Sequence, residues 1–169
     1  MVSVSVILGW IGRTYFTFGG GNIRITFENM PIIFCGMTFG PLIGFAVGVL
    51  CDLVSCLVAP QPTILPLITL GAGAVGLLSG LVSLFFKKEN RRKLFSTIVS
   101  SFSGHLVGSV IIKSIALHYY YGQPLWFAMA TRALTYAFIC GVEIFILYVV
   151  FKNREIKKLI SEIEKRNKQ

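Results

Sequence analysis

Four charge-poor runs, at 31–58, 62–86, 94–112 and 125–151, are each of the length a helix needs to cross a lipid bilayer. A hydrocarbon core about 30 Å thick takes roughly 20 residues at the helical rise. Inside lipid the backbone must satisfy its own polar groups, which leaves helix as the structure for such runs. Composition agrees: 54% of the 169 residues are hydrophobic, 14% are charged, and mean hydropathy is +0.75. These values lie far from the soluble norm. The opening MVSVSVILGWIG has no basic stretch before it and no small-residue cleavage site after it, so it reads as a first span and not as a secretory leader.

The net charge of +9 is confined to particular places. Lys87, Lys88, Arg91, Arg92 and Lys93 form one cluster, and Lys152, Arg154, Lys157, Lys158, Lys165, Arg166 and Lys168 form another. Each follows directly on an apolar run, where the positive-inside rule places cytoplasmic loops. Topology and anionic lipid account for them, and nucleic acid is not expected as a partner. An even number of spans must then separate the clusters, and a break at YYYGQP, 119–124, supplies two.

Gly40-Pro41 falls in the middle of 31–58. Proline removes a helix hydrogen bond and biases its predecessor away from helix. Two short spans, 29–39 and 42–58, are preferred to one long helix. With spans at 2–17 and 64–86, the expectation is an all-α integral membrane protein: a compact bundle of six transmembrane helices with both termini cytoplasmic. Residues 1–151 form the membrane domain and 152–169 a basic cytoplasmic tail, amphipathic or disordered. GGGNIRITFENMP at 19–31, APQPTILP at 59–66 and YYYGQP then share the external face.

Gly36, Gly40, Gly44 and Gly48 recur every four residues, as do Gly76 with Gly80 and Gly104 with Gly108. Small residues four apart let helix backbones approach in lipid, where apolar burial does not drive helices together. Packing inside the bundle accounts for most of them, and docking onto another membrane subunit is the functional alternative.

Ionisable residues within spans are costly and are read as functional by default. Here they are Arg13, Asp52, His105, Lys113, Arg132 and Glu143, with Arg24 and Glu28 in the first external loop. Arg13, Arg24, Lys113 and Arg132 map to the outer half, against the positive-inside tendency, and an anionic ligand entering from outside would account for them. For Asp52 and Glu143, placed in the inner or middle membrane, ion pairing within the bundle is the better reading. For Arg24 ligand contact and ion pairing weigh equally. Aromatics crowd the same outer end, among them Tyr121 and Trp126, chiefly as an interfacial belt.

Catalytic motifs are absent from the sequence. His105 and His118 fit no metal pattern, Gly19-Gly20-Gly21 does not fit GxGxxG, and there is no HExxH, GxSxG or P-loop Lys-Ser/Thr. Cys35, Cys51, Cys56 and Cys140 lie within apolar runs without a CxxC pair, which argues against metal or redox use. An enzyme is not expected, and any uphill transport must draw energy from a partner or an ion gradient.

NIRITFENMPIIFCGMTFGPLIGFAVGVLCDLVSCLV resembles the signature of substrate-binding S components of energy-coupling factor (ECF) transporters, in particular the folate (FolT-type) group. There an Arg-Ile and a Met-Pro-Ile lead into Gly-Pro and a glycine-spaced helix ending in Asp. YYGQPLWFAMATRALTYAFICGVEIF is similar to the later part of the same group, where a Tyr-Gly-x-Pro loop precedes an arginine-bearing last helix. The likeness spans about 22–150.

The resemblance implies a six-helix protein of the bacterial cell membrane that captures folate or a related vitamin at its outer face. It implies partners as well: a transmembrane coupling subunit and two ATPase subunits that hydrolyse ATP, with no cofactor held by this chain. The site is expected under the external loops, from Asn22, Arg24, Glu28, Gln61, Lys113, Tyr121, Trp126 and Arg132. The family's first helix carries an Ala-x-x-x-Ala docking motif, whose nearest equivalent is Ser5-x-x-x-Gly9. Partner docking is therefore assigned to Ser5 and Gly9 with Gly36, Gly40, Gly44 and Gly48. Two other readings stay open: an assembly subunit that binds no ligand, and an ion-coupled transporter working alone.

Overall fold

The computed structural model describes residues 1–18, 23–58, 65–85 and 93–152, with side chains at 1–16, 25–58, 65–85 and 95–150. Asn22, Gln61, the cluster at 87–92 and the tail beyond 152 lie outside the described residues, as does the side chain of Arg24. The order is α1 (Val2–Tyr15), β1 (Thr17–Phe18), β2 (Ile23–Arg24), α2 (Asn29–Phe39), α3 (Pro41–Val58) and α4 (Pro66–Phe85). A continuous rod follows, made of α5 (Lys93–Gly104), a π-helical segment (His105–Ile112) and α6 (Lys113–Tyr121), and α7 (Leu125–Lys152) closes the described chain.

The described residues form six helical rods, with one small feature the apolar pattern did not announce: β1 and β2 pair antiparallel, Thr17 opposite Arg24 and Phe18 opposite Ile23. Four rods are long and apolar enough to cross a membrane: Pro41–Val58, Pro66–Phe85, Phe95–Tyr121 and Leu125–Val150. Helices α1 and α2 have 14 and 11 residues, about 21 and 17 Å at 1.5 Å per residue, so neither spans a 30 Å core unaided.

The break expected at Gly40-Pro41 is a reversal of the chain. Gly40 has φ of 101°, a conformation that costs glycine little. In one continuous helix Gly36 and Gly44 would sit about 12 Å apart. Instead, a Cβ built on Gly44 would fall 2.7 Å from the Gly36 Cα. Helices α2 and α3 are thus a tight antiparallel pair.

Helix α4 lies across this pair, and bare backbone is what lets it do so. The Cβ of an alanine at Gly44 would meet the Gly76 carbonyl oxygen at 2.5 Å, and one at Gly48 would come within 3.0 Å of the Gly73 Cα. Gly36 faces Gly76 and Ser79 in the same way. In lipid such approach supplies the packing and polar contacts that hold helices together. Gly36, Gly44 and Gly48, assigned above to partner docking, pack against α4 within the bundle. Gly40 alone of the four opens on free space, where an added Cβ would meet nothing within 4 Å, and its positive φ gives it the role of turn.

Ile32, Ile33, Cys51, Val75 and Leu147 form the main apolar core, joining α2, α3, α4 and α7. The rod from 93 to 121 runs further than the apolar run that announced it, because Lys113 and His118 interrupt the hydropathy and not the helix. It ends at Gly122, in the left-handed region at φ 64°, whose N–H bonds the His118 carbonyl at 3.0 Å.

Candidate functional site

The site lies at the end of the bundle that carries the β1–β2 hairpin, and α1 prepares it. Ser5, Gly9 and Gly12 make a strip with almost no side chain along that helix, and segment 25–28 lies on it. A Cβ on Gly12 would fall 2.7 Å from the Ile25 carbonyl oxygen, and one on Gly9 the same distance from Glu28 Oε2. Ser5 Oγ donates to the Glu28 carbonyl. Ser5 and Gly9, assigned above to a partner subunit, are buried instead under the chain's own connection between α1 and α2. Ile25 and Phe27 anchor its other side on Val110, Tyr136 and Ile139.

This placement sends the Glu28 carboxylate into the bundle between two cations. Oε2 lies 4.0 Å from Arg13 Nη2, and Oε1 lies 3.8 Å from Lys113 Nζ. Arg13 is held in turn by its Nε bond to the Gly9 carbonyl at 3.2 Å and an Nη1 contact with the Ser55 carbonyl at 3.4 Å. The Lys113 stem passes over Gly71, whose missing side chain makes room for it. Buried charge is tolerated where it is paired, and Glu28 pairs both cations.

Asp52 adds a second carboxylate, accepting a bond from Thr69 Oγ1 at 2.7 Å. Asn29, fully buried, donates through Nδ2 to Ser109 Oγ at 3.4 Å, and its Oδ1 has no hydrogen-bond partner among the described residues. These groups border a cavity lined by Ser5, Glu28, Asn29, Ile32, Cys51, Asp52, Ser55 and Ala72. Its enclosed space is about 10 Å³, rising to about 210 Å³ with the open mouth included. The first figure matches about one water, and ligand pockets run to roughly 300–1,000 Å³.

Of the expected site residues, Glu28 and Lys113 are brought together here. Arg24 is placed by its backbone alone, in β2. Tyr121 and Trp126 stand 60% and 85% exposed, outside the cluster, as belt residues would. Arg132 is half-buried on the α7 face that also carries buried Ala128 and Tyr136, four residues to either side. Among the described residues no carboxylate lies within ion-pair distance of it.

One expectation changes. Asp52, expected to ion-pair within the bundle, has no ion-pair partner among the described residues; it lies toward the hairpin end and bonds a threonine. The signal was available, since six residues separate Asp52 from the end of α3, about 9 Å at the helical rise. Asn29 and Ser109 were missed altogether, because a lone amide and a lone hydroxyl in apolar runs carry no pattern. Glu143 behaves as expected of a paired group: its Oε2 lies 2.5 Å from His105 Nε2, deep between α7 and the π-helical segment. Among the described residues no cluster of three or more His, Cys, Asp and Glu is placed to hold a metal ion.

A family model described as ECF transporter, substrate-specific component, matches residues 1–154. The folate transporter FolT of Clostridium novyi (strain NT) is 24% identical over 146 residues, which cover 86% of this chain and 83% of that protein. The crystal structure of FolT bound with folic acid superposes with a TM-score of 0.67 at 21% identity, covering 87% of each chain, and so shares the fold. With the family match running across the described bundle, the chain belongs to the substrate-specific components of ECF transporters, a transport family and not an enzyme family.

Proposed function

We propose that this chain captures folate, or a closely related vitamin, at the hairpin end of the bundle and hands it to an ECF module for ATP-driven import. The carrying observation is the polar cluster of Arg13, Glu28, Asn29, Asp52 and Lys113 beside the 25–28 segment, in which Asn29 and Lys113 are buried and the other three half-buried. Such a concentration of charge within a membrane bundle is costly and marks a pathway or ligand site. The FolT relative and the folic-acid-bound FolT structure support the choice of vitamin.

Chemistry supports it too. The pterin edge of folate presents N–H donors alongside acceptors, which the half-buried carboxylates of Glu28 and Asp52 and the Asn29 Oδ1 complement. Its glutamate carboxylates require cations, and Arg24 and Arg132 are assigned that role. Arg13 and Lys113 share the single negative charge of Glu28, so a ligand anion either competes with that carboxylate, takes up the remaining positive charge or uses other cations. A cavity of this size must widen to admit a pterin, and in this reading the 25–28 segment and its hairpin lift from α1 to do so.

In the same reading the hairpin end faces outward, both termini are cytoplasmic, and the protein is multi-pass in the bacterial cell membrane. ATP is hydrolysed by two partner subunits through a transmembrane coupling subunit. Calorimetry of the detergent-solubilised protein with folic acid tests the proposal, and Arg24→Ala is expected to weaken binding at least tenfold, about 1.4 kcal/mol. Absence of heat and of thermal stabilisation by folates would reject folate. Absence across the vitamins would favour an assembly subunit without a ligand. Uptake by proteoliposomes holding this chain alone would count against the need for an ECF module.

A further inference from the structure

A second buried polar group lies where α5 and the π-helical segment meet α7, and the capture of a vitamin does not use it. Glu143 is fully buried, His105 is 3% exposed, and their contact is 2.5 Å. The imidazole stacks on Tyr136 with ring centroids 5.0 Å apart. Four buried polar atoms on these helices have no hydrogen-bond partner among the described residues: Glu143 Oε1, His105 Nδ1, and the hydroxyls of Ser100 and Ser101, both fully buried. Ser101 stands four residues before His105 on the same rod, the spacing that puts side chains next to each other on a helix face.

The donor and acceptor inventory identifies what completes the group. The hydrogen bond between Nε2 and Oε2 holds one proton between the two atoms. The low-dielectric interior favours an electrically neutral pair, because an isolated buried charge is far more costly. A neutral pair exists in two forms, imidazolium with carboxylate or imidazole with carboxylic acid. In both, Nδ1 carries a hydrogen and Oε1 offers lone pairs. The pair thus presents one donor and one acceptor, flanked by hydroxyls that can be either. A cation would satisfy only the acceptors and an anion only the donors, whereas water does both.

We propose that His105, Glu143, Ser100 and Ser101 form an internal hydration site in which ordered water bridges the pair to the serine hydroxyls. Buried polar groups without protein partners are ordinarily satisfied in this way, with two to four polar partners per water. The π-helical segment begins at His105, and such segments concentrate at functional places in helices. A hydrated joint at that point lets α7 exchange protein hydrogen bonds for water bonds when it shifts against the rod.

Proton-detected solid-state NMR of the histidine-labelled full chain in lipid nanodiscs tests this without any vitamin present. Transfer of magnetisation from water to the His105 ring is expected, with exposed His118 as positive control. Ser100→Val together with Ser101→Val is expected to cut the His105 transfer at least twofold and leave that of His118 unchanged. A His105 ring with no transfer while His118 shows it would overturn the proposal, and would mean that the serine hydroxyls bond carbonyls of their own helix. Transfer unaffected by the serine pair would overturn the four-residue site. Folic acid affinity of Glu143→Gln is expected to stay within twofold of wild type, and a larger loss would place the pair in the vitamin site and overturn its separateness.

Discussion

Glu28 and Lys113, remote in sequence, meet at 3.8 Å at the hairpin end of the bundle, and the other oxygen of the same carboxylate faces Arg13 at 4.0 Å. One side chain thus ties the connection before α2 to both α1 and the central rod. The lysine is 5% exposed, so its charge depends on this partner more than a surface charge would. Glu28→Gln is expected to cost about 1–3 kcal/mol, below the cost of breaking a fully buried pair because Glu28 and Arg13 are partly exposed. Thermal unfolding in detergent measures it. Lys113→Gln added to that variant should recover part of the loss, and strict additivity of the two would show that they do not interact.

Asp52 accepts from Thr69 and borders the cavity, so it separates binding from folding. In Asp52→Asn the side-chain oxygen still accepts from Thr69, and the unfolding temperature is expected to hold. The negative charge is gone, and folic acid binding is expected to weaken at least tenfold by calorimetry, about 1.4 kcal/mol. Equal affinity in both forms would take Asp52 out of the ligand contacts.

The glycines divide by what surrounds them. Gly76 packs against the Gly44 backbone, and a methyl there has to force α3 and α4 apart. Gly76→Ala is expected to destabilise by about 1–3 kcal/mol, the range for overpacking. At Gly141, also within a helix, an added Cβ would meet nothing within 4 Å. Gly141→Ala is expected to be neutral or to stabilise by up to about 1 kcal/mol through helix propensity. Paired melting curves of the two variants test whether backbone contact or glycine content decides.

Gly12 gives the 25–26 backbone its seat on α1. Gly12→Val is expected to lift that segment and weaken the bond from the Ile25 N–H to the Phe16 carbonyl, now 3.1 Å. Hydrogen exchange at Ile25 should accelerate at least tenfold, about 1.4 kcal/mol of local stability, while exchange in α4 stays unchanged. Equal acceleration in α4 would mean a general loss of stability and not a local release.

Hydropathy determined the solvent of this protein, because roughly 20-residue apolar runs have one low-energy answer in lipid. Local chemistry determined the reversal at Gly40-Pro41 as well, since proline and a positive-φ glycine act without distant partners. Which face of each helix meets which neighbour was left to the tertiary structure. Glycines four apart suit a partner subunit or a sister helix equally well, and only the fold showed α4 against Gly44 and Gly48 and segment 25–28 against Gly9 and Gly12. The same holds for charge. A sequence places Arg13, Glu28 and Lys113 near one end of a membrane bundle, but Coulomb pairing falls off over a few ångströms, and those distances exist once six rods have been packed.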